Sequence, residues 1–165
     1  MKETDFNTIC ERFYNRIEKD EQFFCYHNVN VGEAVQIARQ RAVNYLVDAL
    51  NTLAMAGNLQ VDFTDYNMEI QVINFELVPT EIKLIVEIMF LEYMRRDEAL
   101  LHAMEINFTP SDLSVFSPAN ERTSYKNFIE ELSHKVEIMI DNYKNRDRLT
   151  GVLRNVINYS VYSED

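Results

Sequence analysis

The stretch from Ile82 to Met94 constrains this chain more than any other. Ile82, Leu84, Ile85, Val86, Ile88, Met89, Phe90, Leu91, Tyr93 and Met94 leave only Lys83, Glu87 and Glu92 as polar positions. Pro79-Thr80-Glu81 stands just ahead of it, and proline at the first helical position fits a helix start. A helix apolar almost all round has no solvent face, so it belongs at the centre of a packed bundle. It is too short and too charged to span a bilayer. The rest of the chain must therefore wrap it.

Several segments have the pattern to do so. Phe6, Ile9, Cys10, Phe13, Tyr14 and Ile17 fall on one face of a helix, with Thr4 or Asp5 as its cap. Glu21 to Asn30 reads as a loop rich in aromatics, with Phe23, Phe24 and Tyr26. Asn30 and Glu33 make a near capping box. The helix behind them puts Ala34, Ile37, Ala38, Ala42, Tyr45, Leu46, Ala49, Leu50 and Leu53 on one side. Its alanines allow close approach to a neighbour, and Gly57-Asn58 ends it. Residues 59–78 are the least helical part, expected as an ordered segment with at most a short hairpin to Val61–Phe63.

The last third begins with the loop from Glu105 to Phe116. Ser117 then offers an N-cap and Pro118 an N1 residue for a long helix ending near Asp147. Its seam is Tyr125, Phe128, Ile129, Leu132, Val136, Met139, Ile140 and Tyr143. Arg146-Asp147-Arg148 reads as a polar break, followed by a short apolar helix or extended arm. The expected fold is thus mostly α: four to five helices around a central apolar one, with an irregular or short-hairpin segment near 59–78. Residues 1–147 form the bundle and 148–165 a C-terminal short helix or arm, within one domain overall.

Few glycines and prolines, 3 of each in 165 residues, agree with long helices and few tight turns. The net charge of −11 disfavours binding to DNA or anionic membranes, since affinity for phosphates rests on clustered Lys and Arg. The N-terminus is acidic and has no apolar signal-peptide core. Cys10 and Cys25 fit no metal spacing. Cys10 lies on an apolar stripe and reads as a buried thiol, and a reducing compartment is the default.

No sequence pattern for catalysis is present: no nucleophile elbow, phosphate-binding glycine loop, Cys-x-x-Cys or zinc-protease motif. Glu98 with His102, and Glu130 with His134, share helix faces, but carboxylate-bridged bundles use a Glu-x-x-His spacing. Ordinary surface pairs are the simpler reading. The acidic groups Glu18, Asp20, Glu21 and Asp62, Asp65, Glu69 read as solvated loops, lacking the glycine turn of a calcium loop. The chain is therefore expected to be no enzyme, with no metal and no cofactor. Candidate interface residues are Arg95 and Arg96 after the apolar helix, and the aromatics Phe108, Phe116, Tyr159 and Tyr162 in loop or tail segments.

This order of parts resembles the small head–tail connector (head-completion, or adaptor) proteins of tailed bacteriophages. The likeness lies chiefly in Glu81 to Met94 and in Asp112 to Tyr143, including Asp112-Leu113 and Phe116-Ser117. It implies a mostly α virion subunit, assembled in the bacterial host cytoplasm, that forms a homo-oligomeric ring below the portal protein. Such a ring extends the channel for packaged DNA, meets tail-completion proteins, performs no catalysis and touches no membrane. An acidic wall would let DNA pass without sticking, and Tyr159 and Tyr162 would lie on an arm toward the portal or a neighbouring subunit. The long Leu59–Val78 segment departs from that pattern. The alternative is an acidic intracellular helical module, binding or regulatory, that engages a basic protein partner.

Overall fold

The structure, a computed structural model, describes residues 2–17, 21–24, 26, 28–107 and 119–154, without the side chains of 21–22, 97–107 and 119–122. In chain order it contains β1 (Thr4–Asp5), α1 (Phe6–Arg16), α2 (Glu21–Phe24), α3 (Val31–Ala56), β2 (Tyr66–Asn67), β3 (Val72–Ile73), α4 (Pro79–Asn107) and α5 (Ala119–Lys144). The protein is mostly helical with one small antiparallel sheet.

The helices begin where local chemistry favours it. Asp5 caps α1, its Oδ1 accepting the Asn7 N–H at 2.8 Å. Asn30 caps α3, its Oδ1 accepting the Glu33 N–H at 3.0 Å. Gly57 and Asn58, with φ of 66° and 55°, turn the chain out of α3. α1 buries Phe6, Ile9, Cys10 and Phe13. The alanines Ala38, Ala42 and Ala49 of α3 are wholly buried. Ile37 departs from the expected stripe and stands 38% exposed.

Every residue from Leu84 to Leu91 is buried, Glu87 included, and α4 packs against α1, α3 and α5. The segment expected as an aromatic loop instead contains α2. It inserts Phe23 into a cluster where Phe23 meets Phe13 at 5.7 Å and Tyr93 at 5.7 Å between ring centroids. Rings at such spacing and steep interplanar angle attract edge to face, beyond their burial.

A short hairpin does form within 59–78, between β2 and β3 and without the expected Val61–Phe63. β3 pairs antiparallel with β2 on one side (Ile73 with Tyr66, Val72 with Asn67) and with β1 on the other (Ile73 with Thr4, Val72 with Asp5). Val61–Phe63 is not a strand. Asp62 Oδ1 there accepts the Thr64 N–H at 2.8 Å and hydroxyl at 2.6 Å, which bends the chain into a turn. The third strand comes from the N-terminus. Thr4 Oγ1 secures it by donating to the Phe75 carbonyl at 3.0 Å and accepting the Leu77 N–H at 2.9 Å.

α5 buries Ile129, Leu132 and Val136 against α4 and stops at Lys144, short of the expected Asp147. Phe128, placed on the seam by sequence, is 44% exposed. The expected cap Ser117 and Pro118 lie outside the described residues. After α5 the chain folds back in a tight turn. Asp147 N–H donates to the Val152 carbonyl at 2.7 Å, Gly151 N–H to the Asp147 carbonyl at 2.8 Å and Arg154 N–H to the Asn145 carbonyl at 2.8 Å. Residues 148–154 are therefore a turn strapped to the body, where a short helix or arm was expected to begin. The remainder, 155–165, lies outside the described residues.

Candidate functional site

The buried charged side chains among the described residues are two carboxylates on α4, Glu81 and Glu87. Glu81 sits three residues after Val78 and its Oε2 accepts that residue's N–H at 2.8 Å, one half of a capping box. From α5, the Tyr143 hydroxyl donates to Oε1 at 2.6 Å. From the turn beyond, Arg148 donates through Nε to Oε1 at 2.5 Å and through Nη2 to Oε2 at 3.0 Å. Arg148 also donates to the Glu76 carbonyl and lies over the Phe75 ring, 5.5 Å from its centroid. Each oxygen of Glu81 thus accepts twice, which fills the carboxylate's capacity. The side chain has no solvent exposure.

These contacts perturb the surrounding groups. Burial, and then the bond to Glu81, pushes the Tyr143 hydroxyl above its ordinary range. The bond to Glu81 holds the Arg148 guanidinium more firmly protonated than usual. The strap itself is closed by Asp147. Its Oδ1 accepts the Leu149 and Thr150 N–H groups and the Thr150 hydroxyl, and its Oδ2 accepts from Gln60 at 3.2 Å. The Thr150 amide first, then its hydroxyl and Gln60, bring the Asp147 carboxyl down to about 2.

Glu87 joins three helices. Arg16 of α1 donates to it at 3.1 Å through Nε, and Lys135 of α5 at 2.9 Å. Burial works against its charge, but the bonds from Lys135 and Arg16 outweigh that and keep the carboxyl below the usual value. Arg16 also stacks on Phe90, 3.9 Å from the ring centroid. Glu81 is saturated by structural donors, and Glu87 accepts from Arg16 through both oxygens and from Lys135 through Oε2. The Glu81 carboxylate has no acceptor position left for a substrate proton.

The residues singled out from sequence are scattered. Arg95 donates to Glu92 at 3.0 Å and to the Ser133 hydroxyl at 3.0 Å, which ties α4 to α5. Arg96 lies 5.9 Å from the Tyr45 ring centroid. Phe108, Phe116, Tyr159 and Tyr162 are outside the described residues, as is His27. His134 Nδ1 is 3.9 Å from Glu137, while Glu130 is 3.8 Å from Lys126. Among the described residues, no three His, Cys, Asp or Glu side chains gather where they could hold a metal, and no helix is long and apolar enough to cross a membrane. Cys10 is buried, and that burial pushes its thiol up to about 12.

Sequence reasoning passed over Glu81 and Arg148. A glutamate three residues after the last non-helical position was the available signal for the first. Nothing local marks the second.

The surface offers two shallow grooves. One of about 360 Å³ is lined by Lys2, Phe75, Leu77, Pro79, Arg148 and Leu149. The other, of about 470 Å³, follows the chain from Gly57 to Thr64. Both are open to solvent; the first also takes in Glu76, whose carboxylate pairs with Lys2 at 3.4 Å. The chain matches no protein-family model, no curated protein and no solved structure.

Proposed function

We propose that this protein works by docking, as a structural subunit of the head–tail connector type, assembling with its own copies and with a portal ring. The observation that carries the reading is the use of buried charge. Glu81 and Glu87 are spent on joining α1, α4, α5 and the strap. A sealed, acidic, mostly helical body suits a part that is held in place and lets nucleic acid pass without binding it. The sequence order that resembles connector proteins supports the same reading. Multi-angle light scattering, alone and with isolated portal rings, tests it. Formation of a stoichiometric complex with portal is the expected result, and a monomer indifferent to portal counts against it.

A second reading rests on the exposed carboxylates of α5: Glu130, Glu131, Glu137 and Asp141. They suit an acidic module that binds a basic protein. Capture of one stoichiometric basic partner from the native host, with no portal association, would favour it.

A further inference from the structure

The outer flank of α5 has a symmetry of its own. Phe128, Glu131, Lys135, Ile138 and Asn142 follow one another in steps of three and four, which sets them along one stripe. The stripe flanks the buried Ile129, Leu132 and Val136, and Lys135 on it reaches across to Glu87 of α4. Phe128 is 44% exposed and Ile138 48%, on a helix that already has a packed face. Phe128 and Ile138 are equidistant from Ser133, and so are Glu131 and Lys135.

We propose that this stripe is a docking face for a second copy of the chain, the two α5 helices lying antiparallel about a two-fold axis that crosses the stripe at the level of residue 133. Such an axis makes every contact twice. Phe128 meets Ile138 of the second copy, Glu131 meets Lys135, and each pair recurs in reverse. Charge complementarity selects this arrangement over its competitors. A parallel pairing sets Glu131 against Glu131 and Lys135 against Lys135. An antiparallel pairing centred on Phe128 or on Ile138 loses the apolar match at the other end. Lys135 already donates to Glu87, but an ammonium has three donors, and this side chain remains 52% exposed. The apolar area is small and the chain carries a net charge of −11, so the pair is weak and depends on concentration. The inference stands apart from the connector reading, since a closed two-fold pair neither requires a ring nor forbids one.

Sedimentation equilibrium across a concentration series tests it. A monomer–dimer equilibrium is expected for the wild-type protein. Ile138→Asp and Glu131→Lys, both at exposed positions, should each weaken it about tenfold or more with an unchanged circular dichroism spectrum. Zero-length carbodiimide cross-linking of a mixture of ¹⁵N-labelled and unlabelled protein gives the register. A cross-link between Glu131 and Lys135 carrying one labelled and one unlabelled peptide supports the proposal. A monomer up to about 1 mM, a dimer insensitive to both substitutions, or mixed-label cross-links that map elsewhere would overturn it.

Discussion

Arg148 and Glu81 stand 67 residues apart in sequence and meet through two parallel hydrogen bonds, Nε to Oε1 at 2.5 Å and Nη2 to Oε2 at 3.0 Å. The fork of one side chain matches the two oxygens of the other, a geometry lysine cannot reproduce. The contact fastens the end of the described chain to the start of the central helix. Removing either partner strands the other in a site with little or no water.

Arg148→Ala should therefore lower stability by about 3 kcal/mol, the low end of the range for breaking a buried pair. Arg148→Lys should recover only part of that loss. Replacing both residues with methionine should cost less than Arg148→Ala alone, because no uncompensated charge remains. Urea unfolding of the three variants gives the ranking. Equal stability of Arg148→Ala and wild type would show the clasp to be energetically idle.

Acid should loosen the protein in a defined window. The carboxyls of Glu87 and Asp147 both lie below their ordinary values when folded. Their ionised forms thus favour the folded state, fully so above the unfolded carboxyl range near pH 4. That contribution falls away as pH drops through the folded values, toward about 2 for Asp147. Urea midpoints should be flat from about pH 8 to 5 and decline below about pH 4. Asp147→Asn keeps an oxygen for the Thr150 amide but cannot ionise, so its decline should be shallower.

Close packing between helices should be intolerant of added volume. Ala42 is fully buried on α3. Ala42→Leu should destabilise by about 1–3 kcal/mol through overpacking. Met55, on the same helix and 87% exposed, provides the contrast. Met55→Ala should change stability by no more than about 0.5 kcal/mol. Thermal or chemical unfolding of the two variants side by side reads the difference.

The Cys10 thiol should be inert in the native protein. Burial raises it to about 12, which leaves almost no thiolate at pH 8, and the side chain is only 2% exposed. In a Cys25→Ser background, a thiol reagent such as Ellman's should react at the rate of unfolding and fully in urea. Rapid reaction of the folded protein at pH 8 would contradict this placement.

Local pattern made much of the helical framework readable. The stripe Phe6, Ile9, Cys10, Phe13, the Asn30 cap, the buried alanines and the apolar run of α4 are short-range signals, and each has its counterpart in the structure. What escaped depends on residues distant in the chain. A two-residue strand at Thr4–Asp5 has no periodicity to detect; it exists because β3 lies beside it. Glu87 looks like an interruption of an apolar run until Arg16 and Lys135 arrive from two other helices. Arg148 reads as part of a polar break, although its partner opens α4. The candidate aromatics Phe108, Phe116, Tyr159 and Tyr162 fall outside the described residues, whereas Phe128 and Ile138 emerged only when burial separated the two faces of α5.

Glu81 with Tyr143, Glu87 with Lys135, Arg95 with Ser133 and Met94 with Tyr125 fasten α5 to α4 along their length. A slide of one helical turn is about 5.4 Å, and it would undo these fastenings together. The two helices therefore engage like a toothed rack. Small forces are passed along α5 without creep, and any rearrangement of the pair must come as a whole step.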